Sequence, residues 1–336
     1  RYVNTPNQVA LAKKIAALEH CEASLIFGSG MAAVSTAMLA FLSAGDHVVL
    51  QKTLYGGTYN FVVEELARFG ISYTFTKGLA PNDFEAALQD NTKVIYIETP
   101  SNPLLTITDL KAVGVIAKKA GIVSMIDNTF ASPVNQNPAD FGIDVIIHSA
   151  TKYMGGHSDI CAGAVAASQA HIDQVFRLAK NFGGSLSDYT VWLLERSIKT
   201  MGIRVKAQNE NAMEMATYLE AHPEVSKVYY PGLKSHPDHE LAAAQMSGFG
   251  GMLSFELREG LNASAFQKAL QLIKPSMSLA GIESTLLSPT LTSHALLSPE
   301  ERKHQGIADG LIRFSVGIEE VDALQLDIDQ AIKSLL

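Results

Sequence analysis

A lysine follows a short apolar run in residues 144–153, which read Asp-Val-Ile-Ile-His-Ser-Ala-Thr-Lys-Tyr. The run Val145–Ile147 is typical of a buried strand, and Lys152 stands where that strand ends, the place at which α/β sheets bind ligands. Ser149 and Thr151 add hydroxyl groups beside the amine. Such a lysine can form a Schiff base next to a bound phosphate. The alternative is a loop lysine whose stem covers apolar surface.

A carboxylate holds a comparable position one strand earlier. Asp127 follows the apolar residues 123–126, and Lys152 comes one crossover and one strand later, so both can open on the same edge of a sheet. An acid at the ring nitrogen and a lysine at the opposite end of the ring are what pyridoxal phosphate requires, because the protonated ring is an electron sink. The alternative for Asp127 is a turn or helix-capping aspartate.

A glycine-rich turn offers the donors that a phosphate needs. A predicted strand at 24–27 is followed by Gly28-Ser29-Gly30, which opens a helix at Met31. The free amide groups of a first helical turn and the positive end of the helix dipole attract anions. The alternative is a tight turn in which Ser29 is only an N-cap.

A tyrosine with two glycines follows the second predicted strand, in Tyr55-Gly56-Gly57-Thr58. Glycine permits a close backbone approach to a ligand, and an aromatic ring can stack on a flat cofactor. Tyr55 is therefore a further candidate at the same sheet edge.

The elements that must position these residues alternate between short strands and helices. Alternation of this kind predicts a parallel, doubly wound sheet with right-handed crossovers. The predicted strands cover residues 24–27, 47–50, 72–75, 94–97, 122–126, 145–147 and 161–165.

Long helices begin near His171, and the later chain reads as α+β. We therefore predict two domains, a large domain over 1–202 and a smaller C-terminal α+β domain over 203–336. A single ring-shaped barrel is disfavoured because the alternation stops.

Composition limits the function. The chain has 336 residues, 47% of them hydrophobic, and a net charge of −8 without a basic run, which disfavours nucleic acid and anionic membranes as partners. The most apolar stretch, 31–44, is too short to cross a bilayer. Only Cys21 and Cys161 occur, so we expect a cytoplasmic, reducing location, no metal cluster, and a buried, inert Cys161.

Eight segments, in order along the chain, resemble the Cys/Met-metabolism family of pyridoxal-phosphate enzymes. That family includes cystathionine γ-lyase, cystathionine β-lyase, cystathionine γ-synthase, methionine γ-lyase and the homoserine-ester sulfhydrylases. The resemblance implies an aspartate-aminotransferase-like fold (fold type I) with a mostly parallel seven-stranded sheet between helices, and a homotetramer built as a dimer of dimers. The segments are Ser29-Gly30-Met31, Tyr55–Thr58, Glu98–Pro103, Asp127–Phe130, His148–Tyr153, Tyr230–Leu233, Ser278–Ser284 and Leu311–Gly317.

The resemblance also implies roles for several of the matching residues. Lys152 would form the internal aldimine, Asp127 would hold the pyridine nitrogen, and Tyr55 would stack on the ring and act as an acid near the leaving group. Phosphate contacts would come from Gly30, Met31, Ser149 and Thr151, the ring hydroxyl contact from Asn102, and substrate carboxylate contacts from Arg313 and Ser278.

Arg1 matches the arginine that the family sends to a neighbouring subunit's phosphate. Asn4-Thr5-Pro6 departs from the family's Asn-Pro-Thr at this point, so the placement of this N-terminal clamp stays open. Because the chain opens on Arg1 rather than on methionine, we expect the natural N-terminus to lie upstream.

Two positions bear on the reaction. Gly57 resembles the cystathionine enzymes, whereas methionine γ-lyases commonly have cysteine there. Met277 stands where cystathionine γ-lyases and γ-synthases often have glutamate, and its alternative is a residue that fills a gap in the core. These two positions point different ways. The compact chain lacks room for the longer insertions typical of O-acetylhomoserine sulfhydrylases, so we favour a lyase acting on cystathionine- or methionine-like thioethers by α,γ-elimination, and also by α,β-elimination.

Three other functions stay open. A γ-replacement transferase would trap the same intermediate with cysteine or sulfide. A non-catalytic regulatory module would not need the chemical residues. A nicotinamide dehydrogenase would prefer a third glycine after Gly28-Ser29-Gly30, where the sequence has Ala33.

Overall fold

A computed structural model describes residues 5–291 and 308–336, and it divides the chain into two compact units. The first comprises the described residues of Arg1–Ser101, Ile107–Gly155 and Asp159–Lys199. The second comprises Asn102–Thr106, Gly156–Ser158 and the described residues of Thr200–Leu336. The main change of unit, between Lys199 and Thr200, lies beside the boundary that we predict at 202/203.

Strands and helices alternate through most of the first unit. In order they are α1 Pro6–Leu18, β1 Ala23–Phe27, α2 Gly30–Phe41, β2 His47–Leu50, α3 Gly56–Asn60, a π-helix Phe61–Leu66, β3 Ser72–Phe75, α4 Pro81–Ala87, β4 Thr92–Glu98, α5 Leu110–Ala120, β5 Val123–Asp127, α6 Ser132–Asn135, a 3₁₀ turn Pro138–Phe141, β6 Val145–His148, β7 Gly163–Ala167, α7 Gln169–Phe182 and α8 Asp188–Ile198.

The strands form one seven-stranded sheet in the order β1-β7-β6-β5-β4-β2-β3, in which only β7 runs antiparallel to its neighbours. Apolar side chains cover both faces. One face packs against α2 and α7, and the other against α4 and α5. These near-continuous apolar strands are what a sheet buried on both faces requires. The predicted mostly parallel sheet between helices is confirmed.

The second unit is α+β, as predicted. Its sheet has five strands in the order β10-β11-β12-β9-β8. Its elements are α9 Met201–Ala221, β8 Val225–Tyr229, α10 His239–Gln245, β9 Met252–Leu257, α11 Ala263–Ala269, β10 Lys274–Pro275, β11 Thr285–Leu287, a 3₁₀ turn Pro289–Leu291, β12 Leu311–Ser315 and α12 Val321–Lys333.

One prediction about a cysteine is wrong. Cys161 is exposed and precedes β7, which begins at Gly163. Ala162, its neighbour, is fully buried and hydrogen-bonded to Thr151, so the side chain of Cys161 is turned outward. None of the helices within residues 5–291 and 308–336 is long and apolar enough to cross a membrane.

Candidate active site

Four parallel strands of the first unit end at one edge of the sheet, and the candidate residues lie at these ends. Glu98 and Asp127 are the last residues of β4 and β5 and are partners across those strands. Lys152 follows β6, and Tyr55 follows β2. Strand β1 has the same direction as β6, because β7 is antiparallel to both, so the turn at Gly30 opens on this edge too.

The start of α2 touches the loop that follows β6. A Cβ atom on Gly30 would lie 2.7 Å from Cβ and 2.9 Å from Oγ of Ser149, so only glycine allows this approach. Ser29 caps α2 by accepting a hydrogen bond from the Ala32 amide at 3.0 Å. The amide groups of the first helical turn and the Ser149 hydroxyl are thus brought to one place, where they suit an anion.

Lys152 lies in the turn after β6, half-buried, with its amide donating to the Ser149 carbonyl at 3.0 Å. Thr151 is engaged differently. Its hydroxyl donates to the Ala162 carbonyl at 3.2 Å and accepts from the Ala162 amide at 3.0 Å. Because a hydroxyl has one hydrogen, Ser149 is better placed than Thr151 to donate to a phosphate.

Asp127 carries a buried carboxyl group at the end of β5. Burial raises its pKa above the ordinary value. Hydrogen bonds from Thr129, whose amide donates to Oδ1 at 3.0 Å, oppose that rise in pKa, and so do the electrostatic interactions of Asp127 with His148 and Lys152. A protonated ring nitrogen would add a cation and keep the carboxylate ionised.

The ring of Tyr55 lies over the backbone of Gly57. A Cβ on Gly57 would lie 2.6 Å from Cε1 of Tyr55 and 3.1 Å from the sulfur of Met31. Tyr55 is 50% exposed. The structure therefore brings the predicted residues Tyr55 and Met31 together, with the aromatic ring open to a ligand.

The predicted carboxylate-binding residues meet in the second unit. Arg313 in β12 is 5% exposed. Its Nη1 donates to Oδ1 of Asn102 at 3.4 Å and its Nη2 to the Met277 carbonyl at 3.1 Å. Ser278 follows in the same loop, and its carbonyl accepts from the Thr285 hydroxyl at 2.9 Å. The Met277 side chain is 64% exposed, so its alternative as a core residue is wrong.

Two residues at the sheet edge lack a predicted role. Thr129 accepts from the Ser149 amide at 2.8 Å, and its own amide donates to Asp127, so it links Asp127 to the loop that carries Ser149. Its place two residues after Asp127, at the same strand end, is a sequence signal that could have predicted a role at this site. Glu98 accepts a bond from the Tyr55 amide, which no local pattern reveals. The predicted residue Arg1 lies outside the described residues.

Comparison with known proteins decides the family. The profile of the family described as "Cys/Met metabolism PLP-dependent enzyme" matches residues 1–333. The chain belongs to this family.

Individual relatives agree with that membership. Cystathionine gamma-lyase of Bacillus subtilis (strain 168) is 45% identical over 98% of this chain and 87% of the relative. Cystathionine beta-lyase MetC of the same organism is 43% identical over 98% and 85%. A crystal structure of cystathionine gamma-lyase from Lactobacillus plantarum with L-serine matches with a TM-score of 0.96 and 41% identity, over 99% of this chain and 87% of that one. The predicted fold type I is confirmed.

The cofactor of this family is pyridoxal 5′-phosphate, and the first unit has residues that suit it. The contact between Gly30 and Ser149 leaves backbone amides and a hydroxyl for the phosphate. Lys152 would supply an amine for the aldehyde, and the buried Asp127 would supply an anion for the ring nitrogen. The predicted roles of these residues stay predictions.

Proposed function

We propose that this protein is a carbon–sulfur lyase that performs α,γ-elimination on cystathionine- or methionine-like thioethers, and α,β-elimination as a second activity. One water molecule is consumed, and the products are a thiol, ammonia and a 2-oxo acid. The observation that carries the proposal is the set of strand-end residues in the first unit, where Lys152, Asp127 and Tyr55 accompany the contact between Gly30 and Ser149.

Bound pyridoxal phosphate supplies an electron sink for negative charge at the substrate Cα. Lys152 would hold the cofactor through its amine, and in the reaction this amine takes the substrate Cα proton and then moves a second proton from Cβ. Tyr55 donates a proton to the departing sulfur. Asp127 holds the proton at the ring nitrogen.

Arg313 binds the substrate α-carboxylate in this proposal, with Asn102 and Ser278 beside it. A guanidinium suits this task because it pairs with a carboxylate through two parallel hydrogen bonds, which lysine cannot reproduce. The exposed Met277 offers a thioether rather than an acid for the distal end of the substrate. Met277 therefore favours apolar thioether tails, because its own side chain cannot pair with a second ammonium group.

Two measurements test the reaction. Lys152→Ala should abolish both turnover and the yellow absorbance of covalently bound pyridoxal phosphate, whereas Lys118→Ala, on the exposed end of α5, should change neither. Wild-type protein offered L-cystathionine should release cysteine and 2-oxobutyrate by γ-elimination, or homocysteine and pyruvate by β-elimination. Cystathionine formed from O-succinyl-L-homoserine and cysteine, faster than any elimination, would make the protein a transferase instead.

We also propose a cytoplasmic homotetramer in which Arg1 reaches a neighbouring active site. Phe182, Tyr189 and Trp192 are 58%, 70% and 49% exposed, and large exposed aromatic side chains mark interaction surfaces. The free cysteines suit a reducing compartment. Light scattering after gel filtration tests the assembly, and a monomer that retains cofactor affinity would contradict it.

A further inference from the structure

Glu98 is a buried acid bonded to the main chain of a residue at the candidate active site. It is the last residue of β4 and is 5% exposed. Its Oε2 accepts a hydrogen bond from the Tyr55 amide at 2.7 Å. A carboxylate that accepts an N–H bond makes a charge-assisted bond, which is shorter and stronger than a neutral one.

The loop between β2 and α3 is fixed to β4 at a second point. The side-chain amide of Gln51 donates to the main-chain carbonyl of Glu98 at 2.6 Å and to the Thr53 carbonyl at 2.7 Å. Gln51 is fully buried. Glu98 therefore holds this loop through its side chain at residue 55 and through its main chain at Gln51.

Within α3 the main chain at Tyr55 is held at its carbonyl, which accepts a hydrogen bond from the Tyr59 amide at 3.0 Å. Tyr55 is the residue that precedes α3, its side chain makes no capping bond, and the α-helix lasts only through Asn60 before a π-helix begins. The ring rests on Gly57 beside the sulfur of Met31. A shift of the main chain at residue 55 would move the hydroxyl at the far end of the ring by a larger amount.

We propose that Glu98 is a positioning residue for Tyr55: its carboxylate fixes the Tyr55 amide and thereby aims the phenol at the sulfur that leaves the substrate. This inference rests on the proposed function, because it needs Tyr55 as the proton donor. Glu98 itself contacts neither the substrate nor the cofactor in this proposal. It acts through the main chain of Tyr55.

A double-mutant cycle tests the link. Glu98→Ala should lower kcat about 10- to 100-fold, the size expected of a misplacement near 1 Å, with KM nearly unchanged because the aim matters most in the transition state. In the Tyr55→Phe background the same change should alter kcat less than about twofold, since two residues that act as a unit are not additive. Glu98→Gln keeps an acceptor oxygen and should lose less activity than Glu98→Ala.

A matched control separates aiming from stability. The Asp144 carboxylate accepts a hydrogen bond from the Ser124 amide at 2.9 Å, near the start of β5 and away from the strand ends that carry the candidate site. Asp144→Ala therefore removes a similar carboxylate–amide bond. It should lower the Tm but leave kcat per bound cofactor unchanged. Visible circular dichroism of the bound cofactor gives a readout without turnover, and Glu98→Ala should change it whereas Asp144→Ala should not.

The outcomes are distinguishable. The positioning role would be overturned if Glu98→Ala lowered kcat equally in the wild-type and Tyr55→Phe backgrounds, or if it left the dichroism signal unchanged. Neither result would contradict the lyase activity. A wild-type protein that neither binds pyridoxal phosphate nor cleaves any thioether would instead refute the proposed function.

Discussion

The contact between Gly30 and Ser149 predicts a measurable loss of cofactor affinity in Gly30→Ala. The new methyl group would lie 2.7 Å from Ser149 Cβ and 3.0 Å from its Cα, whereas carbon atoms prefer about 3.5–4.0 Å. Helix α2 and the loop after β6 must therefore separate by roughly 1 Å. Overpacking of this kind costs about 1–3 kcal/mol.

That cost should fall on the phosphate site, because the separation widens the space between the helix start and the Ser149 hydroxyl. An energy of about 1–3 kcal/mol corresponds to roughly a 5- to 150-fold rise in the Kd for pyridoxal phosphate. Titration of the apoprotein, followed by visible absorbance, measures this Kd directly.

Gly202→Ala is the control. No atom lies within 4 Å of a Cβ at Gly202, and alanine is the better helix former by about 1 kcal/mol, so this variant should keep the wild-type Kd and a wild-type or higher Tm. A Gly30→Ala protein with the wild-type Kd would refute the assignment of this contact to the phosphate.

Other predictions concern stability. Glu19→Ala breaks the fully buried pair of Glu19 with His148, which should cost about 3–5 kcal/mol in urea unfolding; a loss below about 1 kcal/mol, typical of exposed pairs, would contradict a buried pair. Burial lowers the pKa of His47 below 6.5, so the folded state favours the neutral ring. The folded protein is therefore more stable above that pH and loses stability as the pH falls, because the unfolded chain binds the proton first. His47→Gln should flatten this decline between about pH 7 and pH 5. Asp327→Ala removes the carboxylate that accepts hydrogen bonds from the three backbone amides at 271–273. It should therefore lower the Tm more than Asp322→Ala at the start of the same helix.

Strand ends were predictable because they depend on local patterns and chain order. The run 145–147 is apolar enough to indicate a buried strand, and the parallel sheet then carries Lys152 and Asp127 to one edge. Hydrophobic periodicity and the right-handed crossover rule suffice for such residues.

Contacts between distant residues were not predictable in this way. Asn102 and Arg313 are 211 positions apart, and their contact depends on tertiary folding. The bond from Tyr55 to Glu98 depends on β2 and β4 being neighbours, although β3 lies between them in sequence. The π-helix at 61–66 directly follows α3. It was not predictable, because π-turns leave no strong pattern in the sequence.

The short segment 102–106 has a practical consequence for protein engineering. It belongs to the second unit, where the Pro103 carbonyl accepts a bond from the buried Ser254 hydroxyl at 2.7 Å and Asn102 meets Arg313. A fragment cut at 199/200 would lose both partners. Chimaeras that exchange the C-terminal portion with a relative should therefore carry residues 102–106 along with it. Otherwise the transplanted arginine would have to pair with an asparagine segment from the other protein.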